Sequence, residues 1–278
     1  MDEGSIRGSG VSLAVRAEVE GSKLPRPSLN WAASVAIVVA CAAPALVAQR
    51  GAGAPPAQTP QAAAPFDIIG YWVALVSDEW RYRMITPPKG NIDYMPVNAD
   101  GRRAADAWDP AKDEAAGEQC KAYGAGGIMR LPIRLHTTWA DDRTLRIDID
   151  TGTQTRTLHF GSAPANVEPS WQGYSVAQWD IPGGGRGLAP GQPRFGQLKV
   201  LTTHLRPGYL RKNGVPYGAN AVLTEYFSRL ADDDGTQYLA VTSMLDDPQY
   251  LAQPWVRTSQ CRRQADARGW NPTPCSAR

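Results

Sequence analysis

From residue 133 onward, apolar and polar side chains alternate with a period of two. Leu135, Thr137 and Trp139 interleave with Arg134, His136 and Thr138; after Asp141 and Asp142, Leu145, Ile147 and Ile149 interleave with Arg146, Asp148 and Asp150. That period belongs to half-buried strands. A loop of odd length, 141–143, keeps apolar opposite apolar across the hairpin. It sets Leu135 against Ile149 and Trp139 against Leu145 on one face, and His136 against Asp148 and Arg134 against Asp150 on the other. Opposite-charge pairs of this kind stabilise a sheet by about 0.2–1 kcal/mol each. The next strand, 153–160, places Arg156, Leu158 and Phe160 on one face and Thr155, Thr157 and His159 on the other.

The stretch 171–255 dominates the pattern. It reads as successive long antiparallel strands: S-W-Q-G-Y-S-V-A-Q-W-D, L-K-V-L-T-T-H-L-R, A-V-L-T-E-Y-F-S-R-L and Q-Y-L-A-V-T-S-M-L. The second and third are separated by the loop 207–220, rich in Gly, Tyr, Arg and Asn. Asp232-Asp233-Asp234-Gly235 is a hairpin turn, and Asp246-Asp247-Pro248 ends the strand after it. Upstream, 70–84 is aromatic and β-branched enough for a first strand, stopped by Pro87-Pro88-Lys89-Gly90. Asn98 caps a short helix over 99–108, and Asp109-Pro110 starts another over 111–116. With 121–130 these are the only helical interruptions. The expectation is a mostly β, antiparallel barrel with one or two short helices after the first strand; the alternative is a β-sandwich.

Composition changes the picture at the N-terminus. The run W-A-A-S-V-A-I-V-V-A-C-A-A-P-A-L-V-A is uncharged, follows Lys23 and Arg26, and is short for a bilayer span. It reads as a secretory signal region, 1–48, with a long lead that suggests a start downstream of Met1. V-V-A-C also fits a lipoprotein box, which would lipidate Cys41. Residues 49–65, Ala/Pro-rich, read as a flexible linker, leaving 66–278 as a single β domain with a Pro-rich tail. The expected location is the periplasm or the exterior, with membrane contact only through the signal or that lipid. The net charge is +2 with no basic stripe, which argues against nucleic acid as a partner. Of the cysteines outside the signal region, Cys261 continues a strand alternation and Cys275 sits in the tail. Three pairings are open, and the expected one is Cys120–Cys275.

W-Q-G-Y-S-V-A-Q-W-D, L-K-V-L-T-T, N-G-V-P-Y, L-T-E-Y-F and D-D-P-Q-Y-L-A-Q-P-W occur in this order in a way that resembles a large group of uncharacterised exported bacterial β-proteins. Cys120 ahead of a Gly-rich stretch fits the same pattern, and the resemblance covers roughly 66–262. It implies no activity. G-Y-W at 70–72 looks like the G-x-W that opens lipocalins and favours a barrel over a sandwich.

Glu225 is the acid of most interest, lying between Leu223 and Phe227 on one strand face. Burial would raise its pKa unless a cation compensates, which would make it a candidate general acid or base with His204; the structural alternative holds it by Arg206 or Arg211. The loop residues Arg206, Tyr209, Arg211 and Tyr217, with Trp171 and Trp179, are candidate contacts for an anionic or aromatic ligand. The three histidines show no metal-binding spacing, so no metal or cofactor is assigned. The run G-G-G-R-G at 183–187 precedes no helix and is not a phosphate loop, and G-Y-S at 173–175 lacks the setting of a nucleophile elbow. The nine tryptophans, mostly in strands, suit a core with an apolar small-molecule site. The sequence therefore supports an exported, lipocalin-like barrel binding a hydrophobic or aromatic small molecule in its interior. The alternatives are a cofactor-free isomerase, cyclase or lyase using Glu225 with Arg206, His204 or Tyr209, and a structural envelope protein.

Overall fold

A computed structural model describes residues 58–182 and 195–278. The signal region, Cys41 and the glycine run 183–187 lie outside the described residues. Eleven strands are present among the described residues: β1 Gly70–Leu75, β2 Arg134–Asp141, β3 Thr144–Ile149, β4 Gln154–His159, β5 Tyr174–Asp180, β6 Gln197–Thr203, β7 Gly208–Arg211, β8 Val215–Tyr217, β9 Val222–Ala231, β10 Gln237–Asp246 and β11 Trp255–Gln264. Nine of them close a barrel in the order β1-β11-β10-β9-β6-β5-β4-β3-β2, and β7-β8 form a separate ribbon. A β-sandwich is not needed. Every barrel junction is antiparallel except β4–β5, where Leu158 and His159 run parallel to Ser175 and Val176.

The β2–β3 register is the expected one, with Leu135 opposite Ile149 and Trp139 opposite Leu145. The turn is made differently: Asp141 pairs with Thr144, its carboxylate accepts the Arg143 N–H at 2.8 Å, and the ladder shifts between Trp139 and Asp141. One extra residue in that bulge preserves the parity that an odd loop would have supplied. Asp150, itself buried, accepts the Arg134 main-chain N–H at 2.8 Å, and its carboxylate lies 3.8 Å from the Arg134 guanidinium, the expected pair. His136 lies opposite Asp148, as expected, but makes no hydrogen bond to its carboxylate. That carboxylate is held by Arg146 at 2.8 Å and Thr155 at 2.6 Å, while His136 stacks on Tyr71 at 4.1 Å.

β1 is shorter than its aromatic run suggests, stopping at Leu75 before a short helix, α1 Trp80–Arg83. The stop is tertiary: Arg83 turns back and donates to the carbonyls of Arg130 at 2.9 Å and Leu75 at 3.4 Å and to the Asp78 carboxylate at 2.6 Å. Helices α2 Ala99–Ala107 and α3 Pro110–Ala115 start at the expected caps, Asn98 accepting from Gly101 N and Asp109 from Ala111 N. A 3-10 turn, Lys121–Tyr123, and α4 Ala125–Ile128 follow.

Inward side chains fill the barrel. Trp72, Leu135, Ile147, Leu158, Val200 and Phe227 are each fully buried and belong to one apolar cluster. A second cluster, around Tyr217, Leu223, Leu245 and Trp255, packs α2, α4 and the β7–β8 ribbon with the inward residues at the ends of β9, β10 and β11. The ribbon turns at Asn213-Gly214, where Gly214 has φ +83° and donates back to Arg211 O at 3.1 Å. The loop 207–220 therefore contains a hairpin rather than an open connection. Cys120 and Cys275 form a disulfide, and Cys261 is a buried free thiol. Residues within 58–65, part of the stretch read as linker, lie against the barrel: the Trp179 indole N–H donates to Pro60 O at 2.8 Å.

Candidate functional site

Glu225 on β9 is wholly buried inside the barrel, as its place between Leu223 and Phe227 requires. Its partner is Arg156 of β4, not Arg206 or Arg211. The guanidinium meets both carboxylate oxygens, at 3.1 and 2.5 Å, and both side chains are 0% exposed. Ser243 Oγ lies 3.5 Å from Glu225 Oε1, and Thr202 Oγ1 lies 3.5 Å from Arg156 and 2.8 Å from Ser175 Oγ. A fork-to-fork pair of this kind satisfies both charges at once and holds four strands, β4, β5, β6 and β9, in register. His204 is elsewhere: it is exposed, follows β6 with φ +56°, and its Nδ1 bonds only Thr203 Oγ1 at 2.8 Å.

The other candidate residues separate into four places. Arg206 and Trp171 do meet, the guanidinium lying 4.0 Å above the indole and 3.4 Å from Glu118. Beside them Tyr209 donates to Asp113 at 2.8 Å, and Lys121 reaches Asp113 at 2.7 Å and Glu118 at 2.5 Å. Burial and then the Asp113 bond push the Tyr209 phenol above the ordinary tyrosine range. Burial works against the charge of Lys121, but Asp113 and Glu118 outweigh it and hold the ammonium above the usual lysine range. Every charge in this network has a partner, so it braces the 3-10 turn against β7. Tyr217 is sealed in the second cluster, where burial raises its phenol. Gly124 and Gly208 both back onto its hydroxyl: a Cβ at Gly124 would also come within 2.7 Å of Trp171 O.

Arg211 sits on another face, 4.5 Å above the Tyr82 ring, with Asn91 Oδ1 at 3.4 Å and Asp93 O at 3.0 Å as its hydrogen-bond acceptors among the described residues. Arg83, Arg130 and Arg257 lie nearby around Asp78 and Glu79.

Trp179, a candidate ligand contact from the sequence, stands at one barrel mouth within an aromatic group. Phe66 meets it edge-on at 5.5 Å, Phe160 lies 5.6 Å away, and Trp139 lies 5.6 Å from Phe160. Phe66, Trp139 and Trp179 are only partly buried, and with Gln61, Ala64, Asp67 and Ile68 they enclose a cavity of about 250 Å³. Its floor is the packed core, since Phe66, Trp139 and Trp179 contact the buried cluster containing Ile68 and Phe160. The signal was present in the sequence as the alternation that points Trp139, Phe160 and Trp179 inward, but not as their common position at one end.

The fold and site define a closed, side-chain-filled β-barrel with an aromatic recess at its mouth. Comparison with family models, with curated proteins and with solved structures returns no match.

Proposed function

We propose that this protein binds a small hydrophobic or aromatic molecule in the recess formed by Phe66, Trp139 and Trp179. The observation that carries the reading is the 250 Å³ cavity walled by those three rings above a filled barrel. Barrel mouths lined by aromatic side chains, with a few polar groups at the edge, are where small molecules are held. Here the edge groups are Gln61 and Asp67. The site is at the mouth and not in the interior, whose volume is taken by Phe227, Leu158 and the Arg156–Glu225 pair. A catalytic role for Glu225 has no support in this geometry, because Arg156 takes up both its oxygens away from solvent. Export is part of the proposal, supported by the apolar N-terminal run and by a disulfide suited to an oxidising compartment.

Native mass spectrometry of the protein purified from the periplasm tests the reading. We expect a retained small organic mass that is lost in Ala64→Trp, which fills the recess, and kept in Glu225→Gln. A mass retained by Ala64→Trp, or absent from the native protein, would overturn it.

A further inference from the structure

A second cavity, independent of the mouth, lies between α1 and the β7–β8 ribbon. It measures about 130 Å³ and combines apolar walls, among them Met84, Ile85, Leu131 and Pro132, with two cations, Arg83 and Lys212. A smaller space of about 20 Å³, large enough for one water-sized group, adjoins it and shares Tyr82, Arg83, Leu131 and Lys212. Arg130 and Arg211 border this smaller space too.

Charge in this region does not balance. Four guanidinium groups, Arg83, Arg130, Arg211 and Arg257, lie among three carboxylates, Asp78, Glu79 and Asp93. Asp78 is shared by Arg83 at 2.6 Å and Arg130 at 3.0 Å, and Glu79 by Arg130 at 2.8 Å and Arg257 at 3.1 Å. The Asp93 carboxylate instead accepts from Tyr82 at 3.1 Å and Asn91 at 2.8 Å. Arg211 has no carboxylate partner among the described residues, and the Lys212 ammonium meets a main-chain oxygen of Arg278 at 2.5 Å. Arg83 is 5% exposed, yet its Nη2 has no hydrogen-bond partner. Asp78 balances the charge of this guanidinium, but a buried N–H group left without an acceptor still costs free energy that a bound acceptor would recover. Burial depresses the pKa of both Arg83 and Arg211. Two non-glycine residues here, Glu79 at φ +48° and Tyr94 at φ +63°, hold left-handed backbone, and Tyr94 O accepts from Arg257. Strained backbone of this sort gathers at ligand sites.

We propose that this cavity binds a short aliphatic monocarboxylate, its chain against Met84, Ile85 and Leu131 and its carboxylate facing Arg83 and Lys212. The size is suited to a handful of heavy atoms, a cavity of about 150 Å³ being known to take benzene. The carboxylate supplies the acceptor that Arg83 Nη2 lacks, and a charge-assisted bond to guanidinium or ammonium gives the preference over a neutral analogue.

Butyrate and 1-butanol, matched in shape and differing in charge, test the proposal by methyl NMR titration. We expect butyrate to shift the Met84 and Ile85 methyl resonances saturably, with 1-butanol at least tenfold weaker. Lys212 is only half-buried, so Lys212→Met should keep the fold and weaken butyrate roughly tenfold, about 1.4 kcal/mol. Equal affinity for butyrate and 1-butanol would overturn the choice of an anion. Butyrate affinity unchanged in Lys212→Met, or no shift at Met84 and Ile85, would overturn the site. None of these outcomes bears on the mouth recess, which neither methyl lines.

Discussion

Replacing Glu225 by Gln removes one charge from the centre of the barrel and changes almost nothing in volume. Arg156 stays charged and fully enclosed, left with a neutral amide in place of a carboxylate that now meets it at two points. Breaking a buried pair from one side costs about 3–5 kcal/mol, because the survivor loses both its water and its counter-charge. For a domain of this size a change of that order lowers the melting temperature by roughly 6–20 °C. The double replacement Arg156→Leu with Glu225→Leu removes both charges and should recover much of the loss. Urea unfolding at neutral pH, with the midpoint and slope fitted separately for Glu225→Gln, for Arg156→Leu and Glu225→Leu alone, and for the double, measures the loss and the coupling. A Glu225→Gln variant that loses less than about 1 kcal/mol would refute the reasoning, since it would mean that Arg156 can reach water or another acceptor.

Removing the Cys120–Cys275 link by a paired replacement with Ala should cost about 2–5 kcal/mol, read as a lower urea midpoint than the oxidised protein, because the bond ties the tail to the 3-10 turn across 155 residues. Cys261 makes stability fall at alkaline pH: burial pushes its thiol from the ordinary 9.0 up to about 12, so the unfolded chain ionises first. That contribution is intact below pH 9 and is lost progressively between about 9 and 12. The raised phenols of Tyr209 and Tyr217 add in the same direction above the ordinary tyrosine range. Urea midpoints at successive pH values should therefore decline from pH 9, and less steeply in Cys261→Ala; a flat profile would contradict the assignment.

The barrel was legible because period-two alternation survives on nearly every strand, and because turn residues such as Asp232–Gly235 mark the hairpins. The partner of Glu225 was legible only in half. Arg156 shares a face with Leu158, a position that only an internal counter-ion permits, yet it lies 69 residues away from Glu225. The two meet because β4, β5, β6 and β9 are consecutive in the barrel, an order that no local pattern encodes. The end of β1 was hidden for a related reason. Trp80 and Tyr82 have strand-like side chains, and what turns the chain into α1 is Arg83 reaching the carbonyl of Arg130. The β7–β8 ribbon did carry its own signal, the Asn213-Gly214 turn, inside a segment whose Gly and Pro content suggested a loop. The mouth recess was invisible as a site because Trp139, Phe160 and Trp179 belong to different strands and share only an end of the barrel.

The most direct test of the whole account is a methyl and indole NMR titration with indole, an uncharged aromatic probe of a size suited to the recess. Indole is expected to shift the Trp179 and Trp139 indole signals and the Ile68 methyls, with Val241 and Leu223, deeper in the barrel, unmoved. Shifts centred on Val241 and Leu223 would show that the interior opens to ligand, and would contradict the claim that this barrel is packed throughout and binds at its mouth.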